Sequence, residues 1–211
     1  MVEATKRHLA KIKSDEHVMV LTTTCAATLS DWTTDKTLIE QLLRTLNSRQ
    51  FGLCQVMSGH SVLISLIQQL IPRMQTLHGL RDIVIISPGF TTIQRPNPDQ
   101  ISGAVEAAIQ AHVNINSVQL PYTSRGQMDT VSPEGVAEIC EATGGVAGGY
   151  GNDVDGGFRS LNLPDAVYFL TLAADTIKPD GRLHHIKTSV KDPRKLTVRA
   201  PKTYRAPKVS S

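Results

Sequence analysis

The chain has 211 residues, 40% of them hydrophobic and only 4% aromatic, which suits one domain with a mainly aliphatic core. Its net charge of +3 is unevenly spread: residues 176–211 hold 10 of the 22 basic residues but only 2 of the 19 acidic ones, so this stretch carries +8 and the remainder −5. No run approaches the roughly 18 apolar residues of a membrane span, and the opening Met-Val-Glu-Ala-Thr-Lys-Arg-His has no apolar export core. Cys25, Cys54 and Cys140 are scattered and odd in number, which reads as three buried thiols and not as a zinc or redox motif.

The elements alternate along the chain. Residues 4–13 carry Leu9 and Ile12 at helical spacing among basic residues, and 17–24 and 26–32 read as two strands joined by a short turn. Thr33-Thr34-Asp35-Lys36 places capping residues ahead of a helix through Leu38, Ile39, Leu42, Leu43 and Leu46. Ser58-Gly59-His60-Ser61 opens another, whose wide apolar face ends before Pro72. The run Ile83–Ile86 is a short β-branched strand stopped by Ser87-Pro88-Gly89, the pattern of a buried parallel strand entering a loop.

A helix over 101–111, a strand over 113–120 and a helix from Ser132-Pro133-Glu134 to Gly144-Gly145 complete the βαβ rhythm of a parallel sheet. Residues 144–157 then hold seven glycines in fourteen positions, which predicts an irregular connection. Beyond it, 167–173 and 183–190 read as a hairpin about Lys178-Pro179-Asp180-Gly181, with a third strand over 196–200. These shifts divide the chain at 1–145, 146–165 and 166–211.

Catalytic constellations are missing from the sequence. Adjacent His184 and His185 point to opposite faces of a strand, so one is solvated and one packed. There is no Gly-x-Ser-x-Gly elbow, and Ser87 is followed by a proline that has no N–H to offer an oxyanion. Asp153 and Asp155 fit a solvated turn better than a Ca²⁺ loop, since no bidentate glutamate accompanies them. The glycine-rich stretch lacks the Lys-Ser/Thr ending of a phosphate loop. The expectation is a chain that is not an enzyme.

Five stretches, taken in order, resemble the von Willebrand factor A-like domain, in a bacterial branch with a basic β-rich C-terminal extension. They are Ser14–Leu21, Trp32–Lys36, Leu80–Gly89, Ile139–Gly145, and the ending from Pro179-Asp180-Gly181-Arg182 through Leu196–Ala200 to Tyr204-Arg205-Ala206-Pro207. The resemblance implies an α/β fold: a doubly wound, mostly parallel sheet, here lacking its first central strand, followed by an antiparallel β extension. It also implies a metal-ion-dependent adhesion site at the carboxyl edge of the sheet, built from an Asp-x-Ser-x-Ser loop, a threonine and an aspartate. In this chain the first loop is absent, Ser58-Gly59-His60-Ser61 stands at the threonine loop, and Ser87-Pro88 stands at the aspartate. Without a carboxylate these hydroxyls would hold Mg²⁺ poorly, so the expectation is no metal and no cofactor.

The resemblance further implies an extracytoplasmic adhesion-type domain, a fragment of a longer exported protein, with an unidentified protein partner. The partner-binding candidates at the carboxyl edge are Thr33, Asp35, His60, Ser61, Ser87 and Thr91. A rival reading is nucleic-acid or anionic-surface binding through Lys187, Lys191, Arg194, Lys195, Arg199, Lys202, Arg205 and Lys208. Against it, Tyr204 is the only aromatic residue among them, too few for stacking on single strands, and lysines also blunt exposed β-edges.

Overall fold

The computed structural model describes residues 2–22, 27–28, 30–45, 59–87, 90–91, 97–120, 131–132, 134–149, 153–161, 168, 177–192 and 198–208. Its centre is a parallel sheet of three strands in the order β3 (Arg81–Ser87), β5 (Val113–Gln119) and β7 (Ala147–Gly148). Strands β3 and β5 pair in register from Arg81↔Val113 to Ser87↔Gln119, and β5 meets β7 at Ser117↔Ala147 and Val118↔Gly148. Helices cover both faces, so the α/β, doubly wound architecture predicted from the sequence is what forms.

One face packs on α3 (Gly59–Gln75), α4 (Pro98–Gln110) and α5 (Glu134–Ala142). There Ile64, Ile67, Ile71, Ala104, Ala108, Val136 and Ile139 close over Ile85, Val113 and Ile115. Ala104 and Ala108, four apart on α4, are wholly buried and let α4 approach closely. Asn97 caps α4 by accepting the Asp99 N–H at 2.9 Å, with Pro98 in the first turn where its missing N–H costs nothing.

The other face packs on α1 (Val2–Leu9) and α6 (Val154–Ser160), with Ala4, Phe158 and Leu161 closing over Val118 and, more loosely, Ile86. Helix α1 also reaches α2 (Lys36–Thr45) through Leu9, Ile39 and Leu43. It is tied to α6 by a bidentate pair of Arg7 and Asp155, and His8 stacks on Phe158 with ring centroids 4.9 Å apart.

Three expectations are corrected. Helix α3 does not stop before Pro72: it runs through it to Gln75, because the apolar face continues to Met74, which is buried in the core. The glycine-rich stretch is not irregular throughout, since it holds β7 and α6. Its glycines serve close approach: a Cβ on Gly157 would stand 2.8 Å from Val118 Cγ1, and Asp153 caps α6 by accepting the Gly156 N–H at 2.7 Å. Finally, β8 (Leu183–His185) pairs antiparallel with β9 (Thr203–Arg205), and residues 198–200 form no strand. Hydrogen bonds flanking that ladder, Ile186 N–H to Lys202 and Ala206 N–H to Arg182, hold the register. The expected partner strand over 167–173 lies outside the described residues, apart from exposed Tyr168.

The predicted early hairpin forms as β1 (Leu21–Thr22) and β2 (Ala27–Thr28), paired antiparallel as a sheet of their own. A further short ladder joins β4 (Phe90–Thr91) to β6 (Val131–Ser132). Cys140 is fully buried, as expected; Cys25 and Cys54 lie outside the described residues.

Candidate functional site

The carboxyl edge of the sheet is where β3 delivers Ser87, whose carbonyl accepts the Leu120 N–H at 3.0 Å. Helix α3, which carries His60 and Ser61 in its first turn, lies against β4, which carries Thr91. The side chains of His60, Ser61 and Thr91, and all of Ser58, Pro88 and Gly89, lie outside the described residues.

Thr33 and Asp35 fall elsewhere, beside α1 and α2. Thr33 forms a bridge with Val18, its hydroxyl accepts the Asp35 N–H at 3.0 Å, and Asp35 in turn accepts the N–H groups of Thr37 and Leu38 at 2.9 and 3.1 Å. These two residues are therefore occupied in starting α2, the role that their capping chemistry also predicts. They line a small depression with Leu9, Ile12, Glu16, Val18 and Ile39, across which the Lys36 ammonium donates to the Ile12 carbonyl. The six candidates thus divide between the sheet edge and the α1–α2 seam.

The flank of β3 away from β5 is the more exposed feature. The Leu120-to-Ser87 bond fixes the phase of the ladder, so the backbone groups of Arg81, Ile83, Ile85 and Ser87 face β5 and those of Asp82, Val84 and Ile86 face outward. Among the described residues no strand pairs with that outer edge. Val84 is 37% exposed there, and Leu80, just before the strand, is 45% exposed.

Sequence reasoning gave no role to a polar cluster at the opposite, amino end of the sheet. The Asp82 carboxylate accepts from Asn116 at 2.9 Å and Asn114 at 3.3 Å, and the Asn116 carbonyl oxygen accepts the Val146 N–H at 3.0 Å. Burial raises the Asp82 pKa above the ordinary carboxylate range, against the lowering by the two amides and the positive charge of Arg199. The Asn-x-Asn spacing on one strand face was the legible signal. Nearby, the Cys140 thiol is pushed up to about 11 chiefly by burial, which leaves it an inert packing group.

The described residues gather no group of three His, Cys, Asp or Glu side chains that could hold a metal ion. Asp153 and Asp155 are engaged by Arg159 and Arg7. In the β8–β9 ladder, His184 stacks on Tyr204 and bonds Asp180 at 3.0 Å while His185 is exposed, the division predicted for adjacent histidines. Of the basic extension, Arg199, Lys202 and Arg205 bond within the molecule, Lys187 and Lys191 are exposed, and Arg194 and Lys195 lie outside the described residues.

The class defined by this geometry is an α/β domain with a central parallel sheet and a small antiparallel extension. No protein-family model matches the chain. No curated protein matches it either. Among solved structures it is similar to a conserved hypothetical protein BatB from Bacteroides thetaiotaomicron, at 15% identity and a TM-score of 0.47, over 69% of this chain and 76% of that one. It is also similar to an aerotolerance-related membrane protein from Bacteroides fragilis, at 16% identity and a TM-score of 0.49, over 76% of this chain and 85% of that one. No helix among the described residues is long and apolar enough to cross a membrane.

Proposed function

We propose that the chain is a non-catalytic protein-interaction domain of the von Willebrand A-like kind, degenerate at its metal site and working outside the cytoplasm. The observation that carries this reading is the outer edge of β3, where Asp82, Val84 and Ile86 present three outward-facing N–H and C=O pairs beside exposed apolar side chains. Such an edge captures an extended partner segment through main-chain hydrogen bonds, with side chains on alternate positions setting specificity. Val84 sits at its middle. The degenerate metal site rests on the ligand types: Ser87 with His60 or Ser61 supplies no carboxylate, whereas a hard divalent cation favours several charged oxygens.

Val84→Pro tests the edge reading cleanly, because it deletes an N–H that faces away from β5 and so spares the existing ladder. A fluorescein-labelled Thr-Val-Thr-Val-Thr-Val-Thr-Lys peptide should raise polarisation saturably with the natural chain and not with Val84→Pro. Equal binding by both proteins, or by neither, removes β3 from the reading. Calorimetry with Mg²⁺ and Mn²⁺ tests the other half: saturable, stoichiometric heat that disappears in Ser87→Ala would show an intact metal site.

A further inference from the structure

We propose that residues 198–208 form an electrostatic strap, releasable by salt, which closes the amino end of the sheet by gripping the C-terminal halves of three helices. Arg199 Nη2 donates to the carbonyl of Ser160, the last residue of α6, at 2.9 Å. Lys202 Nζ donates to Glu141 Oε2 in the last turn of α5 at 2.5 Å, and Arg205 pairs with Glu106 on α4. Helix C-termini carry partial negative charge, so Arg199 meets the dipole of α6 directly and Lys202 lies close to that of α5. The excess of +8 in the tail and −5 in the remainder is therefore used, at these three points, within one molecule.

Backbone geometry shows how closely the strap lies. Gly144 adopts φ +84° in the turn after α5, and a Cβ there would stand 2.9 Å from the Ala200 carbonyl carbon and from the Pro201 nitrogen. On its far side the strap is held by β8, by the Gly181 N–H donated to Pro207 at 3.2 Å, and by the bridge Asp180↔Lys208. Arg205 Nη1 also donates to the Gly181 carbonyl at 2.9 Å, and Ala206 is buried. Residues 180–186 and 202–208 therefore form one flap, fastened to itself by a ladder and to the helices by ions.

The two fastenings respond differently to solvent. Lys202 and Glu141 are each about 60% exposed, and Arg205 and Glu106 are 43% and 24% exposed, so the ionic grip is open to screening by salt. The backbone ladder is not. Release would lift Arg199 away from the end of the sheet that holds Asp82, Asn114 and Asn116, and would free the same three cations for an external anion. Strapping and anion binding by Arg199, Lys202 and Arg205 are then mutually exclusive.

Limited trypsin digestion of the full chain, read by mass spectrometry, measures release as cleavage between Arg199 and Ala200, normalised to cleavage after exposed Lys13. Raising NaCl from about 20 mM to about 500 mM, across which the screening length shortens severalfold, should speed that cleavage several-fold. Lys202→Glu should speed it at low salt, and the double exchange Lys202→Glu with Glu141→Lys should restore slow cleavage. Lys202→Gln replaces the reversal if circular dichroism shows Lys202→Glu to be unfolded, and it too should speed cleavage at low salt. Cleavage that responds neither to salt nor to loss of the Lys202 charge overturns the strap, as does a folded double exchange that stays fast.

Discussion

The sheet core and the C-terminal flap are joined to the same molecule by opposite physics. In the core, Ile64, Ile67, Ile115 and Ile139 are at most 1% exposed, and the hydrogen bonds among them are fully internal; the Thr143 hydroxyl, for instance, is shared between the Ile115 N–H and the carbonyls of Ile139 and Cys140. In the flap, Leu183 is 50% exposed, and the ties to the helices are charged groups at the surface. Burial of aliphatic area gives cooperativity that ionic screening does not weaken, whereas surface ion pairs give attachment that it does. The difference teaches where this chain stores stability and where it can move.

Ile115→Ala should have the largest effect. It empties a fully buried position between β3 and β7 and should cost about 2 to 5 kcal/mol in urea unfolding, with the whole domain losing stability together. Loss of the flap alone, with the sheet intact, would break the contrast. Gly144→Ala comes next, because it lies where the two regions touch: the left-handed backbone and the strap above it should cost about 1 to 2 kcal/mol. Hydrogen exchange should show the loss extending to the Ala206 and Ile186 amides.

A pH titration sharpens the contrast on the other face. Burial against Phe158, with a smaller contribution from Lys11, lowers the His8 pKa below its ordinary 6.5, so the fold prefers the neutral ring. Its contribution is present above about pH 6.5 and is lost as pH falls from there toward the folded pKa. The urea midpoint should drop as pH falls below about 6.5, and His8→Gln should flatten that drop. Glu3, Asp155 and Asp180 have lowered pKa values, from their respective partners Lys6, Arg7 and His184, and lose their contributions at lower pH. The smallest effect belongs to Lys202→Gln: global stability should change by no more than about 1 kcal/mol while cleavage after Arg199 accelerates.

Much of the fold was legible because periodicity and punctuation agreed. Ile83–Ile86 is a strand whose apolar run is bounded by turn residues, and the helix expected over 101–111 forms, though it starts earlier, at Pro98, where Asn97 caps it. Pro72 misled because a local rule was outweighed by the burial of Met74 beyond it. The glycines of 144–157 misled because glycine marks both irregular chain and close approach, and only Val118 beneath Gly157 distinguishes the two. The candidate site was legible as residue types, yet Thr33 and Asp35 were legible twice over, as edge residues and as the cap of α2, and the capping geometry is what the structure displays.

By itself the sequence determined the parallel-sheet architecture, the burial of Cys140 and the opposite environments of His184 and His185, since each follows from spacing along a single element. Tertiary structure alone decided what pairs with β8, which edge of β3 meets no other strand among the described residues, and where the positive charge of the tail is spent. Those outcomes depend on contacts such as Arg205 with Glu106 and Arg7 with Asp155, 99 and 148 residues apart in the chain, and no local pattern encodes which distant partner a charge or a strand edge will meet.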